Sequence, residues 1–163
     1  RWMIIGGIAT SLLGKPRFTR DVDAVIIMDT EDVSSLLQLA REEGFSARIK
    51  DAVKFAQTNR ILLLCHQKSG INVDISLGLL PFEQEAVKHR QKYSVDKVIF
   101  YLPRPEDLII FKAVAHRPQD LLDIKEVILQ HPDINRSYIG PFLQRFQDCS
   151  ADILFYPPSF QGC

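Results

Sequence analysis

The sequence has no excess charge of either sign, few cysteines and no long hydrophobic run. Its 163 residues include 20 basic and 20 acidic side chains, so the formal net charge is zero. A protein without net charge has no overall field that draws it to nucleic acid or to a membrane surface, so a nucleic-acid partner must bind to a local basic patch. The apolar runs are far shorter than the roughly 20 residues of a membrane span. We therefore expect no membrane partner.

The cysteines exclude a disulfide framework. There are three in all, an odd number, and they are widely spaced, with Cys65 inside the apolar run ILLLC. This usage is typical of reduced thiols in a cytoplasmic protein, and no zinc-site spacing is present. The chain is long enough for a single domain with a core of its own. Because it begins almost at a strand and without an initiator Met, we also expect that further residues precede Arg1.

Hydrophobic periodicity predicts an α/β fold. The predicted strands are residues 2–5, 22–28, 61–66, 71–77 and 97–102, and the predicted helices are residues 8–13, 31–43, 81–88, 105–116, 121–130 and about 139–148. Residues 52–55 fit either a short helix or a strand. Pro132 and the pair Gly140-Pro141 are expected to break the helical C-terminal third, and the tail from residue 151 to be an extended arm.

The N-terminal run WMIIGGIATSLLGKPRFTRDVDAVII has the order of parts that can hold a metal-bound triphosphate. An apolar strand stops at Gly6-Gly7, where two glycines let the backbone approach a ligand and the next helix offers N–H groups to an anion. Asp21 and Asp23 are two residues apart on a strand and therefore point to one face. Two adjacent carboxylates repel each other unless a cation lies between them, and oxygen ligands suit Mg²⁺.

A third carboxylate, Asp74, lies in the strand INVDIS, on the polar face that it shares with Asn72 and Ser76. It is a candidate third metal ligand and general base. The alternative interpretation is an ordinary solvated sheet face. For Asp21 and Asp23 the alternative is capping at a strand start.

Together these blocks resemble the nucleotidyltransferase superfamily with the polymerase-beta-type core, and most of all its small AbiEii-like bacterial branch. The resemblance is carried by three ordered blocks: Gly6-Gly7-x-Ala9, then Arg17-x-Thr19-x-Asp21-x-Asp23 with Asp74, and later Pro105-Glu-Asp-Leu-x-x-x-Lys112 with Arg117-Pro-x-Asp120-x-x-Asp123. It implies a mixed sheet flanked by helices, with a nucleotidyltransferase core at residues 1–103 and a small helical C-terminal extension at 104–163.

The resemblance also implies roles for individual residues. Mg²⁺ or Mn²⁺ would be held by Asp21, Asp23 and Asp74, and the NTP would be contacted by Gly6, Gly7, Thr10, Arg17, Thr19 and Lys112. Lys112 and Asp120 would reach the active site. Each of the last two has a structural alternative, since a lysine among apolar neighbours either extends to solvent or meets an anion, and an aspartate at a helix start caps it. Gln119 departs from the branch, which commonly has lysine there.

The reaction implied is transfer of a nucleoside monophosphate from an NTP to RNA, protein or a small molecule. On family grounds tRNA is the favoured acceptor, and the densest basic set outside the motif loop is Arg41, Arg48, Lys50, Lys54 and Arg60. The chain would then be an enzyme of the cytoplasm, and the branch also suggests the toxin of a toxin–antitoxin pair, with an antitoxin protein as partner. The alternative is a nucleotide- or partner-binding domain without catalysis, which would have no use for a cluster of repelling carboxylates.

Overall fold

The computed structural model describes the backbone of residues 1–144 and the side chains of residues 1–142. The predicted C-terminal arm and the end of the last predicted helix lie outside these residues. The strands are β1 (Trp2–Ile5), β2 (Asp21–Ile26), β3 (Phe45–Ala47), β4 (Ile61–His66), β5 (Asn72–Leu77), β6 (Gln91–Val95) and β7 (Val98–Leu102). The helices are α1 (Gly6–Leu13), α2 (Val33–Glu42), α3 (Ala52–Asn59), α4 (Pro81–His89), α5 (Pro105–Ala115), α6 (Pro118–Gln130) and α7 (Arg136–Gln144).

Five strands form one mixed sheet in the order β1-β2-β5-β4-β3, and β6 pairs with β7 in a separate hairpin. Only the β2–β5 pair of the described sheet is parallel. The predicted mixed sheet with flanking helices is therefore confirmed. Among residues 1–144, no helix combines the length and the apolar character needed to cross a bilayer.

The chain divides into two compact units. The first comprises residues 1–9 and 17–103, and the second comprises residues 10–16 together with the described residues from Arg104 to Gln144. Helix α1 thus begins in the first unit, and its last four residues belong to the second.

The core of the first unit lies between α2, α3 and one face of the sheet. Its buried members are Val33, Leu37, Ala52, Ala56, Leu62, Leu64 and Leu77. Val73 and Ile75 of β5 pack against this cluster. Because side chains alternate along a strand, Asn72, Asp74 and Ser76 point to the opposite face. Burying each leucine stabilises the unit by about 1.5–3 kcal/mol, which fixes the register and hence the side on which Asp74 lies.

In the second unit, α5 packs on α6 and α7. Residues 10–16 lie against α6 in this unit. The ring Nε2 of His131 forms a hydrogen bond with the carbonyl oxygen of Leu13 at 2.7 Å, and a Cβ added to Gly14 would lie 3.2 Å from a methyl carbon of Val127. His116 ends α5 in a left-handed conformation (φ 50°) and lets Pro118 begin α6.

Several element boundaries differ from the predicted ones. Strand β3 was not predicted because three residues are too short for a periodic pattern, and β6 was not predicted because its sequence QKYSV is mostly polar. Residues 52–59 form a helix and not a strand. The prediction of a helix break at Gly140-Pro141 is wrong, because α7 continues through Pro141.

Candidate active site

The parallel pairing of β2 with β5 brings three carboxylates to one face of two adjacent strands. Asp23 lies directly opposite Asp74, and Asp21 lies opposite Asn72, whose amide nitrogen donates to Asp21 Oδ1 at 3.0 Å. Burial raises the pKa of Asp74 above its ordinary value, and the nearby charges of Asp23 and Asp21 raise it further, against the opposing effect of Arg48. The carboxylates therefore repel one another, which is the condition that a bound cation relieves.

Arg48 forms an ion pair with Asp74. Its Nη2 atom donates to Asp74 Oδ1, and the two side chains are 29% and 25% exposed. Arg48 follows β3, and its backbone N–H donates to the carbonyl oxygen of Leu63, the residue of β4 that lies opposite Asp74. The guanidinium thus reaches the third carboxylate across an intervening strand.

The glycine pair packs directly against Asp23 and against the loop that precedes β2. Gly6 has a φ of +63°, and a Cβ at this position would lie 2.7 Å from the Cβ of Asp23. A Cβ on Gly7 would lie 2.7 Å from Thr19 Oγ1 and 3.5 Å from a guanidinium nitrogen of Arg17. Only glycine lets the start of α1 approach so closely. The structure therefore gathers Gly6, Gly7, Arg17, Thr19 and Asp23 in the first unit.

The loop before β2 is held partly by its own residues. Thr19 Oγ1 donates to the carbonyl oxygen of Asp21 at 3.2 Å, and Arg17 donates to the carbonyl oxygen of Phe18 at 3.4 Å. The side chain of Phe18 is 82% exposed. The hydroxyl of Thr19 thus has a structural partner beside the carboxylates.

Lys112 lies in the second unit, where it is 3% exposed. Its ammonium donates to Asp120 Oδ1 at 2.9 Å and to Asp123 Oδ2 at 2.6 Å. The sequence left two possibilities for this ammonium, extension to solvent or contact with an anion. The structure shows contact with anions, and those among the described residues are side chains of α6. Its predicted contact with nucleotide phosphates stays a prediction.

Asp120 caps its helix from inside the first turn. It accepts the backbone N–H of Arg117 at 3.1 Å and the Nε–H of Arg117 at 2.7 Å. Burial alone would raise the pKa of Asp120, but the hydrogen bonds from Arg117 and Lys112 outweigh it and hold that pKa below its ordinary value. Gln119, where the branch has lysine, donates to Asp123 at 2.9 Å. Thr10 of the same unit is buried.

The Pro105-Glu-Asp block fastens α7 to α5. Glu106 accepts the backbone N–H of Asn135 at 3.0 Å, one residue before α7 begins. Buried Asp107 accepts the hydroxyl of Tyr138 at 2.9 Å and the Nε–H of Arg104 at 2.8 Å, and the Arg104 guanidinium lies 4.9 Å from the centre of the Tyr138 ring. This part of the matched pattern therefore has a structural explanation.

The predicted basic set does not form one patch. Arg41, Lys50 and Lys54 line a cavity of about 840 Å³ between α2, β3 and α3. Its wall also includes the acidic residue Asp51 together with Leu37, Phe45, Ile49 and Gln57. Arg48 is turned to Asp74, and Arg60 donates to the carbonyl oxygen of Leu77 at 3.1 Å.

The donor set of the carboxylate face fits a divalent cation, because it consists of oxygen ligands that repel one another when no cation is near. As the side chains stand, no group of three His, Cys, Asp or Glu residues between residues 1 and 142 is arranged to hold a metal ion. Asp74 is engaged by Arg48 instead. Sequence reasoning missed Arg48 and Asn72 as members of this site. The alternation of β5 was a signal for Asn72, whereas nothing local marks Arg48.

The mixed five-stranded sheet with its flanking helices is the fold of nucleotidyltransferases, and comparison with known proteins agrees. Residues 1–136 match the family described as nucleotidyltransferase of unknown function (DUF6036), and the chain belongs to this family. No curated protein is similar enough in sequence to count as a match. The resemblance to the nucleotidyltransferase superfamily is thus confirmed at family level, while the assignment to its AbiEii-like branch stays a prediction.

Solved structures share the fold at low sequence identity. The lincosamide antibiotic adenylyltransferase LnuA, bound to lincomycin, has a TM-score of 0.53 at 16% identity over 78% of this chain and 85% of its own. An antigenic nucleotidyltransferase-like protein from Paracoccidioides brasiliensis has a TM-score of 0.57 at 18% identity over 97% and 81%. The antibiotic-resistance factor ANT(2'')-Ia has a TM-score of 0.56 at 15% identity over 94% and 85%.

Proposed function

We propose that the protein transfers a nucleoside monophosphate from an NTP to an acceptor hydroxyl and that the reaction depends on Mg²⁺ or Mn²⁺. The observation that carries the proposal is the register of β2 and β5, which places Asp23 beside Asp74 and brings Asp21 to the same face, against the glycine turn. Asp21, Asp23 and Asp74 would hold the cation. When bound, the cation neutralises the triphosphate and polarises its phosphorus–oxygen bonds.

The chain's own residues then bind the substrates and move one proton. Gly6 and Gly7 let the start of α1 lie against Asp23 and Thr19, so that the N–H groups of the helix bind the triphosphate beside the carboxylates, and Arg17 binds the phosphate oxygens. Asp74 accepts the proton of the acceptor hydroxyl. A new bond forms between that oxygen and the α-phosphorus, the bond from the α-phosphorus to the bridging oxygen breaks, and pyrophosphate leaves.

A thermal-shift experiment tests the carboxylates. A ligand that binds only the folded state raises the melting temperature, so Mg²⁺ with a non-hydrolysable ATP analogue should stabilise the protein. The double variant Asp21→Asn with Asp23→Asn should keep the fold and lose this shift. Asp96→Asn with Asp133→Asn is the control, because both residues are exposed and the net charge changes equally. An unchanged shift in the first variant would contradict the proposal.

Catalysis needs a second readout, since a domain that only binds nucleotide would also show the shift. Release of pyrophosphate from an NTP in the presence of a cell extract should be detectable in the wild type and absent in the Asp21→Asn, Asp23→Asn variant. Binding without pyrophosphate release in any extract would favour the non-catalytic alternative. Lys112 and Asp120 are not needed for this proposal, and their catalytic roles stay predictions.

For the acceptor we favour a small hydroxylated molecule, with ATP as the donor. The support is that LnuA is a lincosamide adenylyltransferase and that ANT(2'')-Ia has been solved with adenylyl-2''-tobramycin. Label from α-³²P-ATP incubated with extract should then remain soluble in acid. Label in the acid-insoluble fraction that is sensitive to RNase or to protease would contradict a small-molecule acceptor.

RNA is the second candidate acceptor, because Arg41, Lys50 and Lys54 converge on one cavity and no ion pair of theirs is found within residues 1–142. Contacts between such cations and phosphates release counterions, so the logarithm of the tRNA affinity should fall with the logarithm of the salt concentration by about 0.9 per phosphate neutralised. Lys50→Gln with Lys54→Gln should reduce this slope, and Lys92→Gln with Lys97→Gln should not. No binding of tRNA at low salt would remove this candidate.

The toxin role also belongs to the proposal. Expression of the wild type in the cytoplasm should arrest growth, and the Asp21→Asn, Asp23→Asn variant should not, because the arrest would depend on nucleotidyl transfer. Normal growth with the active wild type would contradict the role and leave the transfer reaction untouched.

A further inference from the structure

We propose that Arg48 is the internal counter-charge of Asp74, that a divalent cation must displace it, and that the released guanidinium binds the triphosphate. This inference rests on the proposed function. It adds to the reaction a substrate-binding residue outside the three matched blocks.

The placement of Arg48 comes from the sheet itself. Ser46 and Ala47 of β3 pair with Cys65 and Leu64 of β4, and the chain continues past the end of β3 until the Arg48 N–H bonds the carbonyl oxygen of Leu63 at 3.0 Å. Leu63 lies opposite Asp74 on β5. Because the backbone of Arg48 is fixed by this bond, its side chain reaches Asp74 from a defined position.

The ion pair and the metal site use the same oxygen-bearing group. Arg48 Nη2 bonds Asp74 Oδ1, and Asp74 is the carboxylate that faces Asp23 across the parallel pair. A divalent cation held between Asp23 and Asp74 would lie within a few ångströms of the guanidinium, where like charges repel. The two positive groups therefore compete for Asp74.

Displacement leaves Arg48 without its anion, but an NTP supplies a new one. Guanidinium binds phosphate oxygens with two parallel hydrogen bonds, and Arg48 projects on the face that carries the carboxylates. Nucleotide binding therefore offsets the loss of the ion pair. The cation and the nucleotide should each bind more tightly when the other is present, by the same factor.

Titration with Mn²⁺ alone tests the competition. Calorimetry should show that Arg48→Met binds Mn²⁺ about tenfold more tightly than the wild type, since a unit charge a few ångströms from a divalent ion is removed. Arg48→Lys, which keeps the charge but not the paired hydrogen bonds, should fall between them. Arg41→Met is the matched control, because it removes the same charge from the cavity between α2, β3 and α3.

The second titration measures coupling. Addition of a non-hydrolysable ATP analogue should tighten Mn²⁺ binding by a smaller factor in Arg48→Met than in the wild type. Equal or weaker Mn²⁺ affinity in Arg48→Met would overturn the competition, and an equal coupling factor would overturn the contact with the triphosphate. The Asp21→Asn, Asp23→Asn variant distinguishes a failure of this inference from a failure of the proposed function. If that variant binds Mn²⁺ as tightly as the wild type does, the proposed function itself fails.

Discussion

Replacement of Gly6 by alanine should strain the backbone and also displace Asp23. Comparison with the same replacement at Gly70 separates these two effects. Gly6 has a φ of +63°, a conformation that costs an L-residue about 1–2 kcal/mol. The added Cβ would also lie 2.6 Å from Cγ and 2.7 Å from Cβ of Asp23. Non-bonded carbons prefer about 3.5–4.0 Å. Because the contact involves Cβ as well as the end of the side chain, rotation of Asp23 alone cannot relieve it.

We therefore expect Gly6→Ala to shift Asp23 or the start of α1 by roughly 1 Å. A displacement of this size is several times larger than the tolerance of about 0.2 Å on metal–ligand distances. The Mg²⁺-dependent affinity for a non-hydrolysable ATP analogue should fall by a factor of about 10–100, the loss typical when the groups that orient a metal ligand are disturbed.

Gly70→Ala is the matched control. Gly70 has a similar φ of +71°, and a Cβ there would meet no atom within 4 Å. Both variants should lose about 1–2 kcal/mol in urea unfolding from the backbone term. Only Gly6→Ala should lose the nucleotide-dependent rise in melting temperature. If Gly6→Ala retains the wild-type rise, the close approach of Gly6 to Asp23 has no role in the site and the reasoning is refuted.

Three further predictions concern the second unit. Lys112→Met removes the ammonium that pairs with buried Asp120 and Asp123, leaves Asp120 its ion pair with Arg117, and should destabilise the protein by about 3–5 kcal/mol in urea unfolding. A loss below about 1 kcal/mol would contradict the buried ion pairs. The pKa of Asp120 is lowered because the hydrogen bonds from Arg117 and Lys112 outweigh burial, so the carboxylate stabilises the fold above its unfolded pKa of about 3.9 and loses this effect as the pH falls below that value. The free energy of unfolding of Asp120→Asn should therefore fall less steeply with decreasing pH than that of the wild type. An equally steep fall would contradict the assignment. Burial and the hydrogen bond to Asp107 raise the pKa of Tyr138 to about 12, so the neutral phenol stabilises the fold below its unfolded pKa of about 10 and loses this effect between pH 10 and about 12. Across this range the free energy of unfolding should fall less steeply in Tyr138→Phe than in the wild type. An equally steep fall would contradict the shift.

The sequence was sufficient to predict the two strands that carry the carboxylates and the face of each strand on which the carboxylates lie. Alternation in INVDIS put Asp74 on the polar face of β5, and the spacing of Asp21 and Asp23 put both on one face of β2, as their register now shows. What periodicity could not give is the parallel pairing of β2 with β5. Their partners Asp23 and Asp74 are far apart in the chain, and that proximity was implied only by the family resemblance.

The partners of the charged residues were harder to predict, because each depends on how distant segments meet. Arg48 looked like one of several surface cations, yet its partner lies 26 residues away on the far side of β4. Strand β3, which positions Arg48, is too short to be recognised in the sequence. Lys112 was expected to lie free at the surface or to meet phosphate. Its described anions belong to the next helix, which the turn at His116 brings back beside α5.

Asp120 and Asp74 differ in how fully the surrounding protein compensates the negative charge of the carboxylate. Asp120 is 1% exposed, and its pKa is nevertheless lowered because Arg117 and Lys112 supply enough hydrogen bonds and charge to outweigh burial. The side chain of Asp74 is 25% exposed and has Arg48, yet burial and the neighbouring carboxylates leave its pKa raised. A carboxylate that only stabilises the fold is expected to resemble Asp120, with partners that hold its pKa below the ordinary value; this is the first condition, and the raised pKa of Asp74 is the second. Asp74 remains in the second because it is partly buried and because the fold places it beside Asp23, an arrangement that the cation of the proposed function would make favourable.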